Sequence, residues 1–334
     1  MLSSHVNPIQ EINQVGQVRR DAQRLCANIS ADQTFAGRVG LVVTELARNL
    51  VIHAGAGQIL LRELRNDSGG DGIEILSVDR GPGMRNVGEC LRDGYSTAGT
   101  PGTGLGAVRR LSDLFDLSTA DGRGTVICAR LFANKTAHPV SWDFGVVNVA
   151  IAGEAVCGDG WAKSENSDTI RLMLADGLGH GHYAHEAAQE AAKVFLEEAQ
   201  RPTSEILRAM DGALSKTRGA AAAVVEIQPA KSLVTVAGAG NISVRIFDGE
   251  GQSRQIASVN GTVGTRLHKI HEFTANWTRN SVLVMHTDGL TAHWDVKPYP
   301  GLLQRHPATI AAVIYRDYVR GRDDATVLTV SHHR

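Results

Sequence analysis

Two sets of residues in this chain have the types and spacing for chemistry on phosphates. In the first, Glu45 and Asn49 stand four apart in a helical pattern, so both project from one face. A carboxylate there can take a proton or orient a nucleophile, and an amide oxygen can ligate a hard cation. Asp79 closes the apolar run Ile73, Ile75, Leu76, Val78 and enters Gly81-Pro82-Gly83. Its carboxylate can accept from an exocyclic amine, while the glycines let a flat ring approach the backbone. Gly99, Gly102, Gly104 and Gly106 then form a loop whose amides can cradle phosphates, with a helix dipole behind it. Together these read as a nucleotide pocket.

The second set is acidic. Asp159, Asp176-Gly177, Asp288-Gly289 and Asp323-Asp324 are far apart in sequence, yet most adjoin apolar runs. Ile170–Ala175 leads into Asp176, Val282–Met285 leads toward Asp288, and Ala325–Val330 follows Asp324. Carboxylates at strand ends converge at one rim of a sheet. They repel one another unless cations sit between them, and oxygen-only ligands favour Mg²⁺ or Mn²⁺. Two such ions about 4 Å apart can activate a water and clamp a phosphoryl group. Taken singly, a Glu–Asn helix pair is a solvated surface pair and an Asp-Gly is a turn. The order and number of the pieces carry the reading.

These residues need elements to position them. Val15, Val18, Ala22, Leu25, Cys26 and Ile29 recur at helical spacing, as do Phe35, Val39, Val42, Val43, Leu46 and Leu50. Strands are expected at about 58–64, 73–78 and 124–131, and a helix at about 105–115. After a polar break at 134–142, strands are expected near 144–152, 169–175, 220–228, 232–237, 242–247, 281–287 and 325–331. Helices are expected near 183–200, 203–216 and 307–319. Strands joined by tight turns predict antiparallel sheets with helices laid on them.

The 334 residues suit two domains, and the formal net charge of −1 gives no general case for nucleic acid or a membrane surface. The four cysteines are scattered without a CxxC pair, which argues against a disulfide framework or zinc. With no run of roughly 20 apolar residues and a polar N-terminus, a cytoplasmic protein is expected.

The segment Thr44–Asn49 with His53-Ala54-Gly55 resembles the N box of the GHKL ATPases. Asp79–Gly83 resembles their adenine-binding box, and Gly94–Thr97 with Gly102–Gly106 their ATP lid. The likeness is greatest to the small serine kinases of bacterial partner switching, above all the stressosome switch kinase. It implies that Glu45 activates an acceptor hydroxyl, Asn49 holds Mg²⁺ and Asp79 binds the adenine amino group of ATP. It also implies that Gly81 and Gly83 face the ring, that Gly102, Gly104, Leu105 and Gly106 wrap the phosphates, and that Thr125 supports Asp79. No phosphoacceptor-histidine helix precedes the box.

Cys157–Trp161, Ala175–Gly181, Thr287–Leu290 and Arg322–Thr326 resemble the bacterial PPM (type 2C) serine/threonine phosphatases of sporulation and stress response, particularly the stressosome feedback phosphatase. This implies that Asp176 bridges two Mn²⁺ or Mg²⁺ ions and Gly177 lends a carbonyl. Asp159, Asp288 and Asp323 or Asp324 complete the set, with the family's Arg-Asp-Asx pattern favouring Asp323. His180 and His182 are either proton donors or structural loop residues. Arg218-Gly219 and Gly240-Asn241 read as scaffold, and no arginine occupies the N-terminal phosphate-binding position of the larger eukaryotic members.

The expected fold is α/β (α+β). A Bergerat-type α/β sandwich is expected at 8–133, a linker at 134–142 and a PPM-type α-β-β-α sandwich at 143–332. The resemblances imply a bifunctional regulator that phosphorylates and dephosphorylates Ser/Thr of a STAS-domain antagonist or scaffold protein. The alternative is a metal-dependent phosphatase with a non-catalytic ATP-binding docking module.

Overall fold

The computed structural model describes residues 3–65, 70–91, 104–134, 142–166 and 168–332. The chain folds into two compact units. One comprises Leu2–Pro139 together with Val296–Arg316, the other Val140–Asp295 together with Asp317–Arg334. Most of the expected linker falls outside the described residues.

In the first unit the order is β1 (His5–Ile9), α1 (Ile12–Asn28), α2 (Gln33–Asn49), β2 (Gly57–Leu64), β3 (Gly72–Asp79), α3 (Val87–Cys90), α4 (Gly104–Leu111), β4 (Leu114–Thr119) and β5 (Thr125–Phe132). The strands form one antiparallel sheet in the order β1-β2-β3-β5-β4. The helical apolar stripes dictate the packing. Val15, Val18, Ala22 and Leu25 of α1, with Phe35, Val39, Val42, Val43 and Leu46 of α2, bury against Ile59, Leu61, Ile73, Ile75 and Leu131. A reciprocal Glu11–Gln14 capping box starts α1, and the Asp32 carboxylate caps α2 by accepting from the Phe35 amide. After Asn49, α2 loosens into a π-helical turn, Leu50–Ala54, that ends at Gly55.

Alternate residues of the same strands face away from these helices. There Arg62, Glu74 and Arg130 stand directly across from one another on β2, β3 and β5. Arg62 Nη2 lies 2.7 Å from Glu74 Oε1, and Arg130 Nη2 lies 2.6 Å from Glu74 Oε2. Burial opposes ionisation of Glu74, but the two guanidiniums win and hold its pKa below the usual carboxylate value. Residues 296–316 reach the outer strands of this sheet. The His306 amide donates to Asp116 Oδ2 at 2.8 Å, and its Nε2 lies 3.4 Å from Arg130 Nη1.

The second unit contains β6 (Trp142–Val149), β7 (Asp159–Glu165), β8 (Ile170–Gly177), α5 (His182–Glu197), α6 (Thr203–Ala213), β9 (Ala220–Gln228), β10 (Leu233–Ala239), β11 (Ser243–Phe247), β12 (Ser253–Ile256), β13 (Glu272–Asn276), β14 (Val282–His286) and β15 (Ala325–His332). Helix α7 (Pro307–Tyr318) intervenes before β15 and, through Arg316, belongs to the first unit. Two antiparallel sheets result, ordered β13-β10-β9-β8-β7 and β12-β11-β14-β15-β6. Leu172, Leu174, Val225, Ile227, Leu283, Met285, Leu328 and Val330 form their shared core. The alternate residues Met173, Ala175, Ala222 and Val224 face α5 and α6, packing on Ala191, Phe195, Ile206, Leu207 and Met210. This is the mixed α/β architecture expected from the sequence.

Two features differ from expectation. The helix expected to reach 115 ends at Leu111, because Asp113 turns the chain back by donating its amide to the Arg130 carbonyl. Leu114–Thr119 is then a strand. The strands β1, β7, β12 and β13 were also not foreseen, and each lies at the edge of its sheet.

Candidate active sites

The first site gathers at the ends of α2, β3 and α4. Glu45 and Asn49 are half-buried on α2. A β-carbon on Gly104, the first residue of α4, would stand 3.4 Å from Glu45 Oε2 and 3.8 Å from Asn49 Oδ1. The start of α4 is therefore set beside both side chains. Gly104 and Gly106 lie in this helix rather than in a loop ahead of it. Gly104, Leu105 and Gly106 open the described part of this helix, and the amides of a helix's first turn are suited to an anion. Gly102 and the remaining lid residues at 92–103 lie outside the described residues.

Asp79 ends β3 half-buried. Its Oδ1 accepts from the Gly81 amide at 2.8 Å and the Thr125 amide at 3.1 Å. Burial raises its pKa, and these two bonds offset only part of that. Among the described residues no hydrogen bond engages Oδ2. Gly124 must be glycine: its φ is +78°, and a β-carbon would fall 2.1 Å from the Asp79 carbonyl oxygen. Thr125 Oγ1 pairs with Thr119 Oγ1 at 3.0 Å, and Thr119 also accepts from the Met84 amide at 2.9 Å, tying the Gly81–Gly83 turn to the sheet. Arg316 steadies the same turn. It donates to the Asp79 carbonyl at 3.1 Å, and Arg80 donates to the Arg316 carbonyl. Sequence reasoning missed Thr119, Arg80 and Arg316, and Arg316 lies too far along the chain to signal itself.

The second site lies at one rim of the sandwich. Asp159 at the start of β7 pairs in register with Asp176 near the end of β8, and Asp176 is opposite Ala221 on β9. Asp288 follows β14, and Asp323 and Asp324 precede β15. Five carboxylates thus converge. Burial chiefly, then Asp159, Asp288, Asp323 and Asp324, push the Asp176 pKa up to about 9. Burial likewise raises Asp159 to about 7, although two threonine bonds oppose it.

The supporting bonds sort the carboxylates. Asp159 Oδ2 accepts from Thr287 and Thr326 hydroxyls, both at 2.8 Å, and Asn148 Nδ2 in turn donates to Thr326 Oγ1 at 2.8 Å. Asp324 is buried with both oxygens engaged, Oδ1 with the Ile151 amide at 2.8 Å and Oδ2 with the Gly158 amide at 2.9 Å. Asp323 Oδ1 accepts from the Asp324 amide at 2.9 Å, and among the described residues no such bond engages Oδ2. Asp288 Oδ2 accepts from Asn241 Nδ2 at 2.8 Å, so Asn241 acts on the site rather than only on the scaffold. His180 is exposed, with Nδ1 2.6 Å from Glu154 Oε1. His182 opens α5 and is also exposed. Thr287, Thr326, Asn148, Asn241 and Glu154 were missed. The two threonines could have been found from their hydroxyls flanking the acidic motifs.

The carboxylates fit hard cations: the donors are all oxygen, they repel, and burial with that repulsion opposes ionisation of Asp176 and Asp159 in the absence of a counter-charge. Among the described residues no three His, Cys, Asp or Glu side chains close into a cage. Mg²⁺ and similar ions keep several waters and need no all-protein cage.

An ATPase-like pocket on an antiparallel sheet and a carboxylate rim on a two-sheet sandwich define a kinase-like ATPase domain joined to a PP2C-like phosphatase domain. The chain belongs to the Stage II sporulation protein E (SpoIIE) family, which residues 166–333 match, and residues 10–131 are a histidine kinase-like ATPase domain. Among characterised proteins it is 38% identical over 112 residues to the serine/threonine-protein kinase RsbT of Bacillus subtilis, covering 32% of this chain and 84% of RsbT. It is 25% identical over 138 residues to the phosphoserine phosphatase RsbX of the same organism, covering 41% of this chain and 69% of RsbX. A chain from work on the bacterial stressosome superposes with a TM-score of 0.53 at 24% identity, covering 57% of this chain and all of that one. RsbX crystallised with magnesium superposes with a TM-score of 0.50 at 20% identity, covering 60% and 99%. Among the described residues no helix is long and apolar enough to cross a membrane.

Proposed function

We propose that this chain is a bifunctional partner-switching regulator. Its first unit transfers the ATP γ-phosphate to a serine or threonine of a STAS-domain protein, and its second unit hydrolyses the resulting ester on that protein or a neighbour. The observation that carries the phosphatase half is the convergence of five acids on Asp176, a site unsatisfied without cations. The similarity to the serine/threonine-protein kinase RsbT and the phosphoserine phosphatase RsbX supports the pairing of activities; the setting proposed with it is cytoplasmic and stressosome-like.

In the first unit Asp79 recognises the adenine amino group through Oδ2, with Thr125 and Gly81 fixing its other oxygen. Gly81 and Gly83 border the ring. The first-turn amides of α4 take the phosphates, and Asn49 holds Mg²⁺. Glu45, beside that helix start, accepts the proton of the attacking hydroxyl. Positioning and charge neutralisation are the main demands of such a transfer.

In the second unit Asp176, the Gly177 carbonyl, Asp159, Asp288 and Asp323 hold two Mn²⁺ or Mg²⁺ ions. When bound, the ions supply a nucleophilic water and polarise the phosphoryl group. Asp324 is a positioning residue, since both its oxygens are committed to the backbone. Thr287 and Thr326 orient Asp159, and Asn241 orients Asp288. Tethering keeps both sites near one partner, at effective concentrations of the order of millimolar for a short linker.

Hydrolysis of p-nitrophenyl phosphate tests the phosphatase half. The wild type should require Mn²⁺ or Mg²⁺, and Asp176→Asn should abolish the activity. A wild type that neither hydrolyses the ester nor binds metal would overturn it.

A further inference from the structure

Arg218 lies at the rim of the second unit that carries Asp176. It precedes β9, whose Ala220 and Ala221 pair with Gly177 and Asp176. The next residue's carbonyl, that of Gly219, accepts from the Leu178 amide at 3.0 Å. Arg218 therefore stands just beyond the sheet, on the rim that carries the acids. Its guanidinium carbon is 4.9 Å from the centre of the Tyr183 ring. Its Nη1 occupies the space above Gly179, 3.0 Å from where a β-carbon would be, and Gly179 has φ +87°. The side chain is thus laid over the turn that follows Asp176. Glycine at 179 gives it room.

Arg218 is exposed and, among the described residues, pairs with no carboxylate. A cation beside so many acids would ordinarily ion-pair with one. Arg218 instead stacks on Tyr183, and among the described residues no carboxylate takes its donors. A guanidinium presents a planar fork of donors that matches a phosphate in two-point contact.

We propose that Arg218, braced by Tyr183, binds the phosphate group of the phosphoserine or phosphothreonine substrate in the second site. This assigns the role that no N-terminal arginine fills, and it rests on the reading of that unit as a phosphatase. Arg218 supplies binding and orientation, and the ions' ligands are unaffected by it.

The test compares wild type, Arg218→Ala, Arg218→Lys and Tyr183→Ala, all full-length. The readouts are KM and kcat on a phosphoserine peptide, inhibition by inorganic phosphate, and Mn²⁺ affinity. Arg218→Ala should raise KM and the phosphate inhibition constant by about tenfold or more, with Mn²⁺ affinity unchanged. Arg218→Lys should recover part of the loss, having the charge but not the fork, and Tyr183→Ala should show a smaller loss. An active wild type whose Arg218→Ala variant keeps its phosphate inhibition constant within about twofold, less than one such bond provides, would overturn this proposal alone. A wild type without metal-dependent hydrolysis would remove the phosphatase reading and this proposal with it.

Discussion

At the residue scale, the second site shows how neutral side chains make a charge cluster usable. Asp159 is buried beside other acids, and the Thr287 and Thr326 hydroxyls favour its ionised form. Thr326→Val should therefore weaken Mn²⁺ binding by about tenfold, the usual scale for losing an outer-shell partner. Isothermal titration would measure this, and an unchanged affinity would show that the hydroxyl does not tune the ligand. The acids themselves were legible from sequence, because Asp-Gly pairs at the ends of apolar runs mark strand ends. The division of labour between Asp323 and Asp324 was not. It depends on which backbone amides, those of Ile151 and Gly158, arrive from a distant loop.

At the element scale, the strands visible in the sequence are those with continuous apolar runs, such as Ile170–Ala175 and Val282–Met285. These two are central strands, buried on both faces, whereas the foreseen β6 is an edge. The unforeseen β1, β4, β7, β12 and β13 are all sheet edges. An edge strand needs only one buried face and tolerates polar residues or proline, as in His5–Ile9 and Ser253–Ile256. Helices were read well because amphipathic stripes announce themselves. One interior polar group tests the sheet of the first unit. Glu74 is buried between the buried Arg62 and the mostly buried Arg130, so Glu74→Gln removes the charge that both guanidiniums share. It should cost about 3–5 kcal/mol, readable by urea denaturation. The pH dependence has a definite sign. A carboxylate with a lowered folded pKa contributes stability above its unfolded value, and this is lost as pH falls through the folded one. Wild type should lose this contribution below about pH 4.5, and the variant should lack that part of the acid dependence.

At the scale of the whole molecule, the chain order and the compact units do not coincide. Residues 296–316 come from between Asp288 and Asp323, yet they belong to the unit that holds the ATP-type pocket. Arg316 braces Asp79, and His306 engages Asp116 and Arg130. An isolated fragment 1–139 would lose these contacts. Its Tm should be lower than that of the corresponding transition in the full chain by about 5–10 °C, the shift expected from one to two kcal/mol in a domain of this size. Equal values would show that the segment contributes nothing to the unit. Nothing in the local sequence at 296–316 reveals this role, because it is defined by partners some two hundred residues away.

The central claim is that one polypeptide both adds and removes phosphate on one partner. The direct measurement follows label from γ-labelled ATP on a STAS-domain protein, using full-length wild type, Asp176→Asn and Glu45→Ala. Wild type should give transient label that decays once ATP is withdrawn, faster with Mn²⁺. Asp176→Asn should give stable label, and Glu45→Ala none although that variant still binds ATP. Equal labelling by Glu45→Ala and wild type, or equal decay with Asp176→Asn and wild type, would contradict the claim.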